Sequence, residues 1–536
     1  MAAESLLSPS TSSQAWTQRF LWLLAGVVVF RVVYLFTAVD FQLSGDEAYY
    51  WDWGRRPDWC YYSKPPLIGW LMGIVGRISG DKWWAVRLAA TTLGTVSLSL
   101  LFLLGKRLFD ARTGFLAVLL LVLTPGNVLA NFGFTIDSPL LLCWTAALLA
   151  FWHVLNHPRS LFGWVGLTLI VGIGTLAKQM MLTFPALMLI FALSSPEHRS
   201  LVKRPAFWCC IAGSLAFLLP MIWWNNQHHW VTLEHTSEHF NHRELGFIGS
   251  LGQFLTFPGT QAAMYSPITF GVLIAAMVIG LRSWRTLDVR LRLLLAFSVP
   301  GLAIVLLLAL RQNIGPNWPA VFYVPLFVLA PALATNHPGL GRWMRCGMGL
   351  GGGTMVLVLY LYLPLIRPLG LIGHERLDPV EQMRGWQEAG AQAQEFMKKM
   401  LHPERTFVLV LDHRRYASQM AFNMPSHPHV YRWTESGKVE SQYEIWPDFS
   451  DKIGWDCLVI YPDSEDDGYK KRQFPRPILH AFAKYHKLGD VDVDVGNGVR
   501  RSFQVYQCKR MLHYPVPEPD EPEPEAPPTP TAVSPP

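Results

Sequence analysis

Eleven apolar segments of about 15 to 23 residues, each near the length that crosses a bilayer, occupy the first 365 residues. They lie at 20–38, 85–105, 113–130, 138–155, 161–176, 180–194, 206–224, 266–281, 292–310, 318–335 and 346–365. A chain with so many is expected to fold as a polytopic α-helical membrane protein, because helices satisfy every backbone N–H and C=O inside hydrocarbon. Only 16% of its residues are charged and 51% are hydrophobic, which agrees. The net charge of +6 would suit a nucleic-acid partner, but the Lys and Arg sit mostly in short loops between apolar runs. Topology accounts for them, and no nucleic acid is implied. The seven cysteines show no CxxC pair and no metal-ligand spacing. The first apolar run has no small-residue cleavage pattern after it, so it is read as a retained helix rather than a signal peptide.

Counting cations in alternate loops orients the chain. One set of loops holds Lys106, Arg107 and Arg112, then Arg159, then Arg199, Lys203 and Arg204, then Arg282, Arg285, Arg290 and Arg292, then Arg342 and Arg345. The other set, apart from the first long loop, holds only Lys178, Arg243 and Arg311. The richer set belongs in the cytoplasm. Residues 1–19 then form a cytoplasmic tail, and 20–368 the transmembrane domain. Asp46, Lys64, Asp137, Lys178, the polar run 225–242 and Gln312-Asn313 all fall on the outer face, although none of them was used to set the orientation. Polar groups from five loops on one side imply a cavity there.

Beyond residue 368 apolar runs shorten to strand length, at Thr406–Leu411, 457–461 and 503–508, and alternate with amphipathic stretches such as 379–400. Residues 369–512 are expected to form a small C-terminal α/β domain outside the membrane. Cys457 and Cys508 lie on expected strands, either as a disulfide or as two buried thiols. Residues 513–536 are mostly Pro, Glu, Ala and Thr and are expected to be disordered.

The first outer loop, 39–84, is the candidate catalytic segment. Its stretch 44–70 packs Asp46, Glu47, Asp52, Asp58, Lys64, two arginines and eight Tyr or Trp rings. Carboxylates this close to a bilayer are retained chiefly where they line a polar cavity. One acid of the Asp46-Glu47 pair can take a proton from an attacking hydroxyl; the alternative is an interfacial cap, with Tyr49, Tyr50 and Trp51 as a membrane belt. Lys64, stiffened by two following prolines, suits a phosphate whose charge it neutralises, or else it snorkels. Asp137 before Ser-Pro is a helix cap that can also serve a site. Lys178 interrupts two apolar helices and suits an anionic head group. The polar run carries His228, His229, His235, His239 and His242; His235 and His239 have i, i+4 spacing around Glu238, but the order is not HExxH. Ring-rich polar loops of this kind bind sugars as readily as metals.

With these residues in place, the order GDEAYYW, YYSKPPLIGW, TIDSPL, LAKQMM, WWNNQHHW and GPNWPAVFY resembles the GT-C glycosyltransferases of the family 39/83 type, the dolichyl-phosphate-mannose-protein mannosyltransferase-like membrane enzymes. Among these it is similar to the bacterial transferases that add aminoarabinose or galacturonic acid to lipid A or lipopolysaccharide. The resemblance covers about residues 20–335 and extends only loosely, through QYEIW, into the soluble domain. It implies Asp46 as catalytic base with Glu47 beside it, Lys64 and Lys178 facing the donor phosphate, and Asp137 as a second acid at the substrate. Tyr49, Tyr50, Tyr62 and His228 complete the expected substrate site. The aminoarabinose type carries an acid just before the Lys-Pro lysine, where this chain has Ser63. That departure favours the galacturonic acid type.

The expected activity is inverting transfer of a sugar from a polyprenyl-phosphate donor to a hydroxyl on a lipid or glycan acceptor, among membrane lipids, at the periplasmic face of a bacterial inner membrane. Lysines can neutralise the leaving phosphate, so no cofactor is required by the chemistry; use of a divalent metal stays open. The alternative is a transporter or flippase of an amphiphile. Transporters tend to place charges at the midplane on broken helices within internal repeats, whereas here the charges gather at one face.

Overall fold

The computed structural model describes residues 9–238, 247–366, 380–463, 474–496 and 499–517. It forms two compact units, Met1–Gln382 and Met383–Pro536. The expected boundary at 368 lies outside the described residues, as do 1–8 and the histidines His239 and His242.

The first unit is helical. Its helices are α1 Pro9–Thr37, α2 Gly45–Arg55, α3 Leu67–Ser79, α4 Trp83–Leu108, α5 Ala111–Val122, α6 Pro125–Phe132, α7 Asp137–Asn156, α8 Leu161–Ala177, α9 Thr183–Ser194, α10 Pro205–Leu215, α11 Leu219–Gln227 and α12 Val231–Glu238. After them come α13 Phe247–Tyr265, α14 Pro267–Arg282, α15 Val289–Ala296, α16 Val299–Leu308, α17 Ala320–Ala334 and α18 Pro338–Met355. Among the described residues five helices are long and apolar enough to cross a membrane, or up to seven if each bent pair counts as one span. Shorter apolar helices such as α8 and α17 add to these, so the polytopic class stands, while a count of eleven spans is not established.

Three differences from the sequence expectation have local causes. The first helix begins at Pro9 rather than near residue 20, because a Pro at the helix start is compatible with the fold and polar residues continue a helix beyond an apolar run. The segment expected at 113–130 is broken: α5 and α6 meet at 80°, where Thr124 accepts from the Asn127 N–H and Pro125 starts a new helix. The stretch 39–84, expected to be a loop, holds α2 and α3. Ser44 and Glu47 form a capping box that starts α2. A Cβ on Gly54 would run into the backbone of Gly73, so α2 and α3 cross glycine against glycine.

The core of this unit is an aromatic and aliphatic cluster around Trp144, whose ring meets Phe184 edge-on at 5.1 Å and Phe322 at 5.5 Å. It fixes α7 against α9 and α17.

The second unit is an α/β domain. Its helices are α19 Trp386–Lys398, α20 Arg414–Asn423 and α21 Arg476–Ala481, and its strands β1 Thr406–Leu411, β2 Val430–Trp433, β3 Asp456–Pro462, β4 Phe482–Gly496 and β5 Val499–Met511. The sheet order is β2-β1-β3-β5-β4, parallel across the first three strands and antiparallel thereafter. Cys457 and Cys508 are register partners on β3 and β5, and both are buried free thiols. Burial pushes the Cys508 thiol up to about 12. The tail expected to be disordered from 513 begins packed: Tyr514 lies against Phe449 at 4.9 Å, and the Pro515 carbonyl accepts from Trp433 Nε1 at 2.8 Å. An indole N–H buried in a core needs an acceptor, and the chain end supplies it. The rest of the tail, 518–536, lies outside the described residues.

Candidate active site

A cavity of about 600 Å³ opens within the helical unit, a volume in the range of small-molecule sites. Its polar part is lined by Asp46 and Tyr50 from α2, Ser63 and Lys64 from the following turn, Asp137 from α7, Lys178, and Asn317 and Trp318. Its apolar part is lined by Leu98, Leu101, Leu121, Leu141, Val324 and Phe327. One space therefore carries both charged and apolar side chains on its lining.

The consecutive acids of α2 part company. Residues i and i+1 point about 100° apart on a helix, so only one of them can face the cavity squarely. Asp46 lines it. Glu47 is 1% exposed, and its carboxylate accepts from Arg87 Nη1 at 2.5 Å, the Phe134 N–H at 2.8 Å and the Ser44 N–H at 2.9 Å. Arg87, equally buried, also donates to the carbonyls of Phe132 and Gln42. Glu47 thus ties α2 to α4 and to the segment before α7, and holds Asp46 in place from behind.

Lys64 is presented by a turn in which the Tyr61 N–H donates to the Lys64 carbonyl. Tyr61 stacks on Trp53 at 4.3 Å, and its carbonyl accepts from Thr232 Oγ1 at 3.0 Å. Trp224 Nε1 donates to Asp58 Oδ2 at 2.7 Å, and Asn225 Oδ1 accepts from the Thr232 N–H at 3.2 Å. The corner between α11 and α12 therefore clamps the lysine turn. Cys60, enclosed by the same corner, has its thiol pushed up to about 11 by burial, so it is no nucleophile near neutral pH.

On the opposite wall Asp137, the first residue of α7, accepts from Lys178 Nζ at 2.8 Å through Oδ1 and from Asn317 Nδ2 at 2.5 Å through Oδ2. Lys178 stands at the break between α8 and the short turn Gln179–Leu182.

Of the residues expected from the sequence, the cavity brings together Asp46, Tyr50, Lys64, Asp137 and Lys178. It leaves out Glu47, Tyr49, Tyr62 and His228. Tyr49 is buried against Trp53 at 4.8 Å, and His228 stacks on Trp224 at 3.9 Å. Tyr62 meets the His235 ring at 4.6 Å, and His235, with Thr236, is on the lining. His235, Asn317 and Trp318 are the additions. The two prolines around Asn317-Trp318 in GPNWP were the available sign, since they set a polar side chain in a stiff turn. Among the described residues no group of three or more His, Cys, Asp and Glu is arranged to hold a metal ion.

Residues 63–224 match the family described as dolichyl-phosphate-mannose-protein mannosyltransferase. The chain is 31% identical to the lipid A galacturonosyltransferase RgtD of Rhizobium johnstonii over 317 residues, 58% of this chain and 64% of that protein. It is 32% identical to an undecaprenyl phosphate-alpha-4-amino-4-deoxy-L-arabinose arabinosyl transferase of Pseudomonas aeruginosa over 123 residues, 22% of each chain. It thus spans less than two thirds of the length of either relative. In fold it is similar to ArnT from Cupriavidus metallidurans bound to undecaprenyl phosphate, with TM-score 0.61 at 16% identity over 91% of this chain and 97% of that one. The Archaeoglobus fulgidus oligosaccharyltransferase follows, with TM-score 0.51 at 13% identity over 84% and 70%. The resemblance to the GT-C superfamily therefore holds in sequence and in fold. Within it, the relatives matched include a protein named for galacturonosyl transfer to lipid A and one named for transfer of aminoarabinose from undecaprenyl phosphate.

Proposed function

We propose that this chain is a membrane glycosyltransferase that moves a sugar from a polyprenyl-phosphate donor to a hydroxyl of lipid A or another envelope glycoconjugate, at the periplasmic face of a bacterial inner membrane. The observation that carries this reading is one cavity whose lining combines Asp46 and two lysines with apolar side chains. A polyprenyl chain needs hydrocarbon surface, its phosphate needs cations, and the acceptor needs a base; the cavity offers each.

In this mechanism the donor phosphate lies against Lys64 and Lys178. The acceptor oxygen gives its proton to the Asp46 carboxylate and attacks the anomeric carbon from the face opposite the phosphate. The carbon–oxygen bond to phosphate breaks with inversion, and the lysines neutralise the charge that develops on the departing lipid phosphate. Asp137, already bonded to Lys178 and Asn317, serves the lysine rather than the proton transfer. The chemistry needs no metal. Ser63, 5% exposed and on the lining, replaces the acid of the aminoarabinose type. A cationic sugar would find no carboxylate at that position, and the galacturonosyl name of one relative points the same way. The sugar is accordingly read as a uronic acid.

The test uses inner membranes from cells carrying wild type, Asp46→Asn or Lys64→Ala at equal abundance. Polyprenyl-phosphate sugars and envelope glycolipids are followed by mass spectrometry. The expected result is that one lipid-linked sugar falls, and the matching mass appears on an acceptor, with wild type alone. Equal behaviour of all three would reject the assigned base and phosphate ligand and advance a transport role.

A further inference from the structure

We infer that Asn317 is a positioning residue that sets the direction of Lys178 through Asp137, and so tunes the affinity of the site for a lipid phosphate. This rests on the reading of Lys178 as a phosphate ligand.

The geometry is a three-residue relay across separate elements. Lys178 Nζ donates to Asp137 Oδ1 at 2.8 Å, and Asn317 Nδ2 donates to Asp137 Oδ2 at 2.5 Å. All three residues line the cavity. A carboxylate held through one oxygen can turn about its terminal torsion, which is broad. Held through both oxygens from different directions, it has its plane fixed. Lys178 is the mobile member, a point charge on a flexible four-carbon stem, and one fixed acceptor decides where its remaining N–H groups aim.

Asn317 is itself built to stay put. It lies between Pro316 and Pro319, in a turn closed by the Trp318 N–H donating to the Gly315 carbonyl at 3.0 Å. Gln261 of α13, fully buried, donates its side-chain N–H to the Pro316 carbonyl at 3.2 Å. The amide therefore comes from a rigid turn pinned from a second helix. Its chemistry also fits the task. A neutral donor fixes Asp137 while leaving the Asp137–Lys178 pair electrically balanced, whereas a cation there would compete with Lys178 for the carboxylate. A carboxylate in place of the amide would repel Asp137 and free the lysine.

The experiment measures the dissociation constant of undecaprenyl phosphate for the purified full-length protein in nanodiscs. Wild type, Asn317→Ala, Lys178→Ala and the double variant are compared, each with a thermal midpoint near wild type. Lys178→Ala and Asn317→Ala are each expected to weaken binding by about tenfold, the scale of one hydrogen bond to a charged group. The double variant is expected to be no weaker than Lys178→Ala alone, because Asn317 has nothing left to position. Asn317→Asp should bind at least as weakly as Asn317→Ala. If Asn317→Ala does not fold, the similarly shaped Asn317→Leu replaces it. A further loss in the double variant would mean that Asn317 merely stabilises its turn, and the inference fails. Wild-type affinity in Asn317→Ala beside a weakened Lys178→Ala would also overturn it, with the phosphate reading intact. Wild-type affinity in Lys178→Ala would remove that reading, and the inference with it.

Discussion

Asp46 borders the cavity, while Glu47, the next residue on the same helix, is 1% exposed and bonded to Arg87 at 2.5 Å. Two acids that look alike in sequence thus have different surroundings, one at the cavity and one inside the frame. The separation can be tested on each residue.

Glu47→Gln should destabilise the protein while Asp46→Asn should not. Removing one member of a buried ion pair leaves an uncompensated charge, here Arg87, at a cost of about 3 to 5 kcal/mol. Thermal unfolding of the purified protein should show a large drop for Glu47→Gln and a midpoint near wild type for Asp46→Asn. A stable Glu47→Gln protein would mean that Arg87 finds its partners elsewhere.

Lys64→Ala should lower turnover with a lipid-phosphate donor by about 100-fold, the usual loss when a group that stabilises developing negative charge is removed. Lys64→Arg should recover part of it, since the charge returns with a different reach. The check is the rate of sugar loss from the polyprenyl-phosphate pool in membranes matched for protein. Rates within twofold of wild type in Lys64→Ala would exclude the lysine from the leaving-group site.

Gly54→Ala should impair the protein although it adds one methyl group. That methyl would meet the Gly73 backbone, which cannot rotate aside as a side chain can. Overpacking of this kind costs about 1 to 3 kcal/mol and would displace α2, and Asp46 with it. Fluorescence-detected size exclusion on heating should show the loss, and Gly73→Ala should behave alike.

The second unit has its own acid-sensitive element. Arg432, 9% exposed, bonds Glu444 at 2.6 Å and Glu440 at 2.8 Å. Partial burial pushes the Glu440 carboxyl up, but Arg432, Ser436 and Lys438 together outweigh it and leave it below its ordinary value. A carboxyl held down in the folded state contributes stability above its unfolded value of about 4.3, and that stability is lost as pH falls through the lower folded value. The thermal midpoint of the full-length protein should therefore fall below about pH 4.5, and Glu440→Gln, less stable at neutral pH, should converge with wild type there. Parallel curves for the two proteins would remove the assignment.

Several residues of the cavity lining are legible in the sequence. Asp46, Lys64, Asp137 and Lys178 stand out because charges between apolar helices have few uses, and all four line the same cavity. Strand β1 was legible from Thr406 to Leu411 because all six of its residues are buried, so its apolar run has sharp ends. Helix α2 was hidden because its aromatic residues are buried on most of its faces, which erases a one-sided pattern. Strand β4 is hidden because Lys484, His486, Asp490, Asp492 and Asp494 are all exposed along it, and a run of exposed charges reads as a loop. The burial of Glu47 is not legible because its partner Arg87 is 40 residues away, and nothing local distinguishes a cavity acid from a buried one.

The clamp between Tyr61 and Thr232 joins positions 171 residues apart. Asp58 with Trp224, and Cys60 with Asn225, repeat the join on either side. Anyone exchanging segments between this chain and a relative to alter what it accepts would have to graft 58–64 and 224–236 together. Either transplanted alone would carry half of a lock into a host that holds the wrong half.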